Sequence, residues 1–552
     1  MGPEERTLQS GRGAWLYGAL LFCALLFSWL AMSPCLNNGF TNWDEVESVI
    51  QNPHVKSLAP ANIKKIFSTP EVGMYTPLST LSYALQYRLS GLDPRAYHAA
   101  DLLLHLANTA LVMLLAGLLL GNAWAAFLTA LLFGIHPAHV ESVAWAAERK
   151  DVLCAFFYLA ALSAYAWRPA KAPARVLSLA LFACALLAKS MAITLPLALL
   201  LVDYLRTGRL TARHFLAKAP FFVCAAVFVA LQLYWSGGVF GMVWWKRLLF
   251  PLYNLAFYLY TLLWPFNLSA MYFSPLGGKA GVYGLAAAAL AGLALFWKYL
   301  RGDRELVFCA AFYAALLLPV LQFFPFGGVI ASDRYTYLPS IGVFMAGAVC
   351  AWRLWRRLRP GHRALAAAAA AAAVLTLAAT ARVRCGVWRD GVTLWTDTLR
   401  NQPLAAKALT NLCDAYLKAE RTDEAAACLA RAVQQHPGDN DDHYNVCRLF
   451  LQHKDLGKAE VCFSGVLEVS PRHAAALNYL GDISLLKGEP AKAEKFYEQA
   501  AQADGALAAP YAGLARRALA RKDRARAALF YEKALAAEPA DKDLRAALAA
   551  LR

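Results

Sequence analysis

Four groups of residues in this 552-residue chain have the types and spacing to do chemistry. The run Asn42-Trp43-Asp44-Glu45-Val46-Glu47 carries three carboxylates beside an indole. A carboxylate held near a hydroxyl and partly desolvated can take its proton. The same run also reads as a helix start, with Thr41 or Asn42 as the cap and acids favoured in the first turn by the helix dipole. His136, His139 and Glu141 could hold a metal, or could hydrogen-bond the backbone of a membrane-edge loop. Arg149 and Lys150, between Glu148 and Asp151, present guanidinium and ammonium groups suited to phosphate oxygens; the alternative is snorkelling at a helix end. Asp333, Arg334, Tyr335 and Tyr337 follow the flexible Phe326-Gly327-Gly328. Arg334 could contact a phosphate or pair with Asp333, and the tyrosines also suit a membrane interface.

The elements that must position these groups are membrane helices. Hydrophobic residues make up 59% of the chain and charged ones 16%, which excludes a disordered chain and disfavours a soluble globule. Of the 54 Lys+Arg and 37 Asp+Glu, residues 1–381 hold 29 and 15, and residues 382–552 hold 25 and 22. The basic excess sits in short loops between apolar runs, so it reads as a topology signal and not as a nucleic-acid surface. An apolar stretch at 14–33 reads as an uncleaved anchor, followed by a long polar loop at 36–96. Ten further runs, from 97–120 to 364–381, bring the expectation to eleven spans. Residues 243–272, aromatic and broken by Pro251 and Pro265, are read as lying along the outer interface. With the basic loops cytoplasmic and an inside N-terminus, the loops at 36–96, 142–150 and 326–334 and the whole C-terminal part face outward. Asp101, His105 and Asn108 share one face of the second span and should point into the bundle, by default as hydrogen-bonding groups. The twelve Cys form no C-x-x-C pair, and neither a disulfide framework nor a zinc spacing is expected.

The C-terminal part repeats every 34 residues. Ala425, Ala459, Ala493 and Ala527 are in register, as are Leu429, Phe463, Tyr497 and Tyr531, and Pro437, Pro471, Gly505 and Pro539. This is the tetratricopeptide period, in which small residues let the two helices of a repeat cross closely. Four repeats are expected over 406–541, a capping helix at 542–552, and a linker or half-repeat at 382–405 in which Trp395 and Pro403 keep the register. Asn411 and Asn445 occupy one register position on the inner face, where an amide could both donate to and accept from an extended peptide; Tyr479 interrupts the ladder. Ordinary surface asparagines are the other reading.

Taken together, these blocks resemble the transmembrane and tetratricopeptide-repeat O-mannosyltransferases and their bacterial relatives. The resemblance is carried, in order, by Asn42-Trp43-Asp44-Glu45 with Asn52-Pro53, Tyr75-Thr76-Pro77-Leu78, Gly91-Leu92-Asp93-Pro94 leading to His98, Leu104-His105, the block 136–151, Asp333-Arg334-Tyr335, and the repeats. It implies an all-α, GT-C-like polytopic bundle of about eleven spans followed by a tetratricopeptide superhelix. It implies transfer of a hexose such as mannose from a polyprenyl-phosphate donor to a hydroxyl, that of Ser or Thr in an exported protein, with inversion. An acid of the first external loop would act as base, which maps onto Asp44; Glu45 stands where a second Asp is common. Thr76 departs from an Arg often found before the Pro, leaving Arg149, Lys150 or Arg334 to hold the phosphate. No cofactor is required, although a divalent cation is possible; the setting implied is a bacterial inner membrane with periplasmic repeats. Two other readings stay open: the same donor serving a glycolipid or cell-surface polysaccharide, and a non-catalytic membrane-anchored scaffold.

Overall fold

The computed structural model describes residues 11–70, 73–169, 171–236, 246–272, 278–323, 329–435, 447–448, 450–451, 454–539 and 541–551. The chain divides into two compact units, Met1–Gln402 and Pro403–Arg552.

The first unit is a bundle of apolar helices. Among the described residues, five are long and apolar enough to cross a membrane: Gly13–Asn37, Pro94–Leu120, Ser190–Thr207, Gly278–Leu300 and Pro360–Trp388. The pair Ala123–Ile135 and Pro137–Ala144, bent by 55°, makes a sixth if it counts as one broken span. Shorter apolar helices include Ala172–Ala188, Ala219–Trp235 and Leu249–Leu263. The chain is therefore a multi-pass membrane protein. Local chemistry sets where the helices begin. We label Gly11–Met32 α1, Pro94–Leu120 α2, Ala123–Ile135 α3, Arg149–Trp167 α4, Pro360–Cys385 α5 and Gly391–Asn401 α6. The Asp93 carboxylate accepts from Arg95 N ahead of α2, and Asn122 from Ala125 N ahead of α3, each satisfying an orphan first-turn donor. Gly121, at φ 64°, closes α2 in the left-handed region.

The polar face of α2 is buried and bonded inward. His105 bridges the Gly134 carbonyl (3.0 Å) and the Tyr337 hydroxyl (2.8 Å), and Asn108 donates to Val152 O (2.9 Å). A Cβ on Gly134 would fall 1.8 Å from Ser28 Oγ, so this position lets α1 and α3 meet. Residues 246–263 of the aromatic segment form one helix, Lys246–Leu263, which buries Tyr253, Phe257 and Tyr258 while Leu259 and Leu263 stay exposed; 243–245 lie outside the described residues. Helix α6, within the stretch expected as linker or half-repeat, packs in the first unit and buries Leu394, Trp395 and Leu399.

In the second unit the period is visible in the backbone. Second helices begin at 422, 456, 490 and 524, and described first helices at 406, 474 and 508. The turn between them places Glu420, Lys454, Gly488 and Lys522, again 34 apart, at positive φ. Ala425, Ala459, Ala493 and Ala527 are fully buried at the crossings. The Tyr497 ring is wedged where a Cβ on Gly481 or Gly513 would come within 2.5 or 2.9 Å of it. Lys458 pairs with Asp423, Lys487 and Lys492 with Glu460, Arg521 with Glu494 and Arg526 with Glu498, each across a junction between successive repeats. Helix Lys542–Ala549 caps the array.

The cysteine reading is corrected here. Cys413–Cys428 and Cys447–Cys462 are disulfides, each tying the first helix of a repeat to its second. They escape a search for C-x-x-C because partners 15 residues apart meet only once the helices fold back on each other. Asn411 is half-buried on Ala406–Lys418, whereas Asn445 and Pro437 lie outside the described residues.

Candidate active site

The loop after the first span leads into a buried charged cluster. Residues 38–44 form neither helix nor strand, and a single π-helical turn, Val46–Ile50, follows them. Glu45 is 1% exposed, and its carboxyl accepts from the Thr41 amide (3.3 Å) and hydroxyl (2.7 Å). Burial raises it to about 7 against the pull of those bonds. Asp44 next to it is half-buried. Burial raises its carboxyl too; Lys150 and Arg334 oppose the shift, and Glu148 and Glu47 add to it. Asp44 thus lies within electrostatic reach of two of the cations singled out from the sequence.

Trp43 carries the geometry across. Its ring stacks on Trp145 at 4.1 Å, and Trp145 lies under the Arg334 guanidinium (5.2 Å) and the Lys150 ammonium (5.8 Å). Glu148, 1% exposed, is the hub of this cluster. Lys189 donates to it, Lys150 lies 3.2 Å away and Arg334 Nε 3.8 Å. Burial alone would raise the Glu148 carboxyl; Lys150, Lys189 and Arg334 outweigh it and hold the group well below the ordinary range. Arg334 also pairs with Glu141, whose other oxygen accepts the Arg334 amide at 2.9 Å. Lys189 reaches Asp151 at 2.6 Å, and Asp151 accepts from Ser142 at 3.1 Å. Three cations, Lys150, Lys189 and Arg334, therefore face three carboxylates, Glu141, Glu148 and Asp151, beside Asp44. A narrow cavity lined by Asp151, Cys154, Met191, Arg334, Tyr337 and Leu338 opens next to them.

Not every residue expected at the site joins it. Arg149 turns the other way: its Nε lies 2.6 Å from Asp101, it donates to Tyr97 O (3.1 Å), and it stands over the Tyr83 and Tyr97 rings. His136 and His139 are committed to separate backbone carbonyls, Leu262 O (3.0 Å) and Phe133 O (2.8 Å), and His139 also meets Ser340 Oγ. Among the described residues no three His, Cys, Asp or Glu side chains are placed to share an ion. Asp333 accepts from the Tyr272 hydroxyl at 2.8 Å, and burial with Glu141 nearby raises its carboxyl. Tyr335 lies under the Arg334 guanidinium at 5.0 Å. Phe326, Gly327 and Gly328 lie outside the described residues.

Lys189 and the tryptophans Trp145 and Trp388 were not picked out from the sequence. Lys189 stands between Ala172–Ala188 and Ser190–Thr194, a lone cation at a break in two apolar runs, and that break is the one signal that pointed to it.

The tetratricopeptide-repeat family model matches residues 376–440 and 448–508. The chain is 41% identical over 91 residues to human protein O-mannosyl-transferase TMTC2, a match covering 16% of this chain and 11% of that protein. It is 34% identical over 180 residues to Drosophila melanogaster protein O-mannosyl-transferase Tmtc1, covering 31% and 21%. Human TMTC1 is 33% identical over 174 residues, covering 29% and 20%. The matches thus span no more than about a fifth of these relatives' length. Among solved structures, a thermophilic tetratricopeptide-repeat protein of Thermus thermophilus is 24% identical and covers 32% of this chain and 94% of its own, with a TM-score of 0.24. The family resemblance read from the ordered motifs is supported by these relatives.

Proposed function

We propose that this multi-pass chain, similar along part of its length to protein O-mannosyl-transferases, transfers a hexose such as mannose from a polyprenyl-phosphate donor to a Ser or Thr hydroxyl of a protein. The observation that carries the reading is the convergence of one half-buried carboxyl, Asp44, with Lys150 and Arg334 at a buried charged cluster. In the reaction the acceptor hydroxyl attacks the anomeric carbon and its proton passes to Asp44. The bond from that carbon to the phosphate oxygen breaks, and polyprenyl phosphate leaves with the electron pair. Attack opposite the leaving group inverts the anomeric centre. A phosphate is already a good leaving group, so one base and cationic stabilisation suffice, without the carboxyl pair of a glycosidase. Lys150, Lys189 and Arg334 are the cations for that role. Glu45, occupied by Thr41, is a support for the loop, and Asp44 is the base.

The repeats present the protein acceptor on the same side of the membrane as Asp44, away from the cytosol. Two cystines within the repeats favour that placement, because disulfides persist in oxidising compartments. The test is transfer of labelled mannose from polyprenyl-phosphate mannose to a Ser/Thr protein acceptor by the full chain in lipid nanodiscs. Wild type should yield an inverted mannoside, and Asp44→Asn should yield none while melting like wild type. An inactive wild type, or an active Asp44→Asn, would overturn the reading.

A further inference from the structure

The segment that carries Asp44 has no regular structure of its own, yet it is held by side chains and backbone from more than 340 residues later in the chain. Asn38 Nδ2 donates to Cys385 O at 3.0 Å. Gly39 N donates to Arg389 O at 2.9 Å. The third tie is the last before Asp44: Trp395 Nε1 donates to Asn42 Oδ1 at 2.8 Å. The Trp395 ring meets Trp43 edge to face at 5.1 Å, and Trp388 stacks on Trp43 (6.3 Å) and Trp145 (5.6 Å). Helix α6 is in turn fastened to the bundle at two further points, by Asp397 paired with Arg384 and by Asn401 Nδ2 on Leu268 O at 2.9 Å. Trp395 is itself fully buried.

We propose that Trp395 is a positioning residue of the transfer site: through Asn42 and Trp43, helix α6 sets where the Asp44 carboxyl stands. Only Trp43 separates Asn42 from the base, so a bond at Asn42 governs the base more closely than those at Asn38 and Gly39. The tryptophan wall also keeps water from the carboxyl. The charged groups facing Asp44 are Lys150, Glu148, Arg334 and Glu47. None belongs to α6, so changing Trp395 alters hydration and placement without altering local charge. This inference rests on the reading of Asp44 as the base.

The test uses Trp395→Phe, Asn42→Ala and their double variant in the full chain in nanodiscs, with Asp44→Asn alongside and polyprenyl-phosphate mannose as donor. Each single variant is expected to lower kcat about tenfold while donor KM stays within twofold and the melting temperature is nearly unchanged. The double variant should be less impaired than the two single losses combined, since the bond between the two side chains is already gone in each single variant. The acid limb of the kcat profile should move to lower pH, because a better hydrated carboxyl titrates nearer its ordinary range. Asn42→Ala keeps every tryptophan in place, so it answers the question even if Trp395→Phe fails to fold. If Asp44→Asn is inactive but both single variants keep wild-type kcat and pH profile, or if their losses add in the double variant, Trp395 has no positioning role and the reading of Asp44 stands. If Asp44→Asn remains active, that reading falls and takes this inference with it.

Discussion

Arg149 separates a phosphate ligand from a structural cation, and Arg149→Met tests which it is. Arg149 and Asp101 meet at 2.6 Å with side chains 3% and 0% exposed. Asp101 Oδ2 has no hydrogen-bond partner among the described residues, so Arg149 alone compensates that carboxyl there. Removing one partner of a buried pair leaves a stranded charge at a cost of about 3–5 kcal/mol. The lost bond to Tyr97 O adds about 1 kcal/mol. The double variant Asp101→Asn/Arg149→Met removes both charges and should lose only about 1–2 kcal/mol, because a buried pair replaced as a unit is often near neutral. Asp101→Asn alone strands the Arg149 guanidinium at a similar cost, so the double variant should lose far less than the sum of the two single losses, well outside the scatter of independent sites. The assay is thermal unfolding of wild type, both single variants and the double variant in one detergent, with donor KM measured on the same samples. The reasoning is refuted if Arg149→Met melts with wild type and only its donor KM rises; Arg149 would then be the phosphate contact that the sequence pattern suggested.

Three further outcomes follow from the same geometry. Lys189→Met should raise donor KM about tenfold with a smaller change in kcat, as loss of a charge-assisted phosphate contact would; an unchanged KM would leave Lys189 as a counter-ion of Glu148 and Asp151 only. Glu45 has a folded value of about 7, above its unfolded one, so its contribution to stability is full below about pH 4.5 and fades as pH rises through 7. Comparing melting temperatures across that window, wild type should lose about 3 kcal/mol relative to Glu45→Gln, and parallel curves would contradict the shift. Cys413→Ser/Cys428→Ser opens a disulfide spanning 15 residues and should destabilise the repeat unit by about 3 kcal/mol. Maleimide labelling of the unreduced chain should leave all four repeat cysteines unmodified, and free thiols there would count against an oxidising location.

What could be read in advance was whatever repeats or runs on. The 34-residue period survives as helix starts at 422, 456, 490 and 524 because each repeat buries its own small residue against its neighbour. The inward polar face of α2 was legible because His105 and Asn108 must find partners where water is absent. Partner choice was not legible. Sequence shows that Arg149 and Lys150 are adjacent cations, but their side chains leave a helix start in different directions, one to Asp101 on α2 and the other toward Glu148. Trp395 kept the repeat register and so read as part of the repeats, while its buried face answers to Asn42 and Trp43. The cystine partners were in register too, at 413 and 447 and at 428 and 462, but their pairing is a property of two helices crossing.

The ion pairs between repeats have a direction. At each described junction the acid belongs to the earlier repeat and the base to the later one. The array therefore has a head and a tail, and its edges are interchangeable parts. Excising residues 474–507 would bring Arg521 and Arg526, which hold the register of Lys487 and Lys492, against Glu460. A shortened array would inherit a complementary seam ready-made, so this chain's lineage could gain or lose a whole repeat without redesigning the joint.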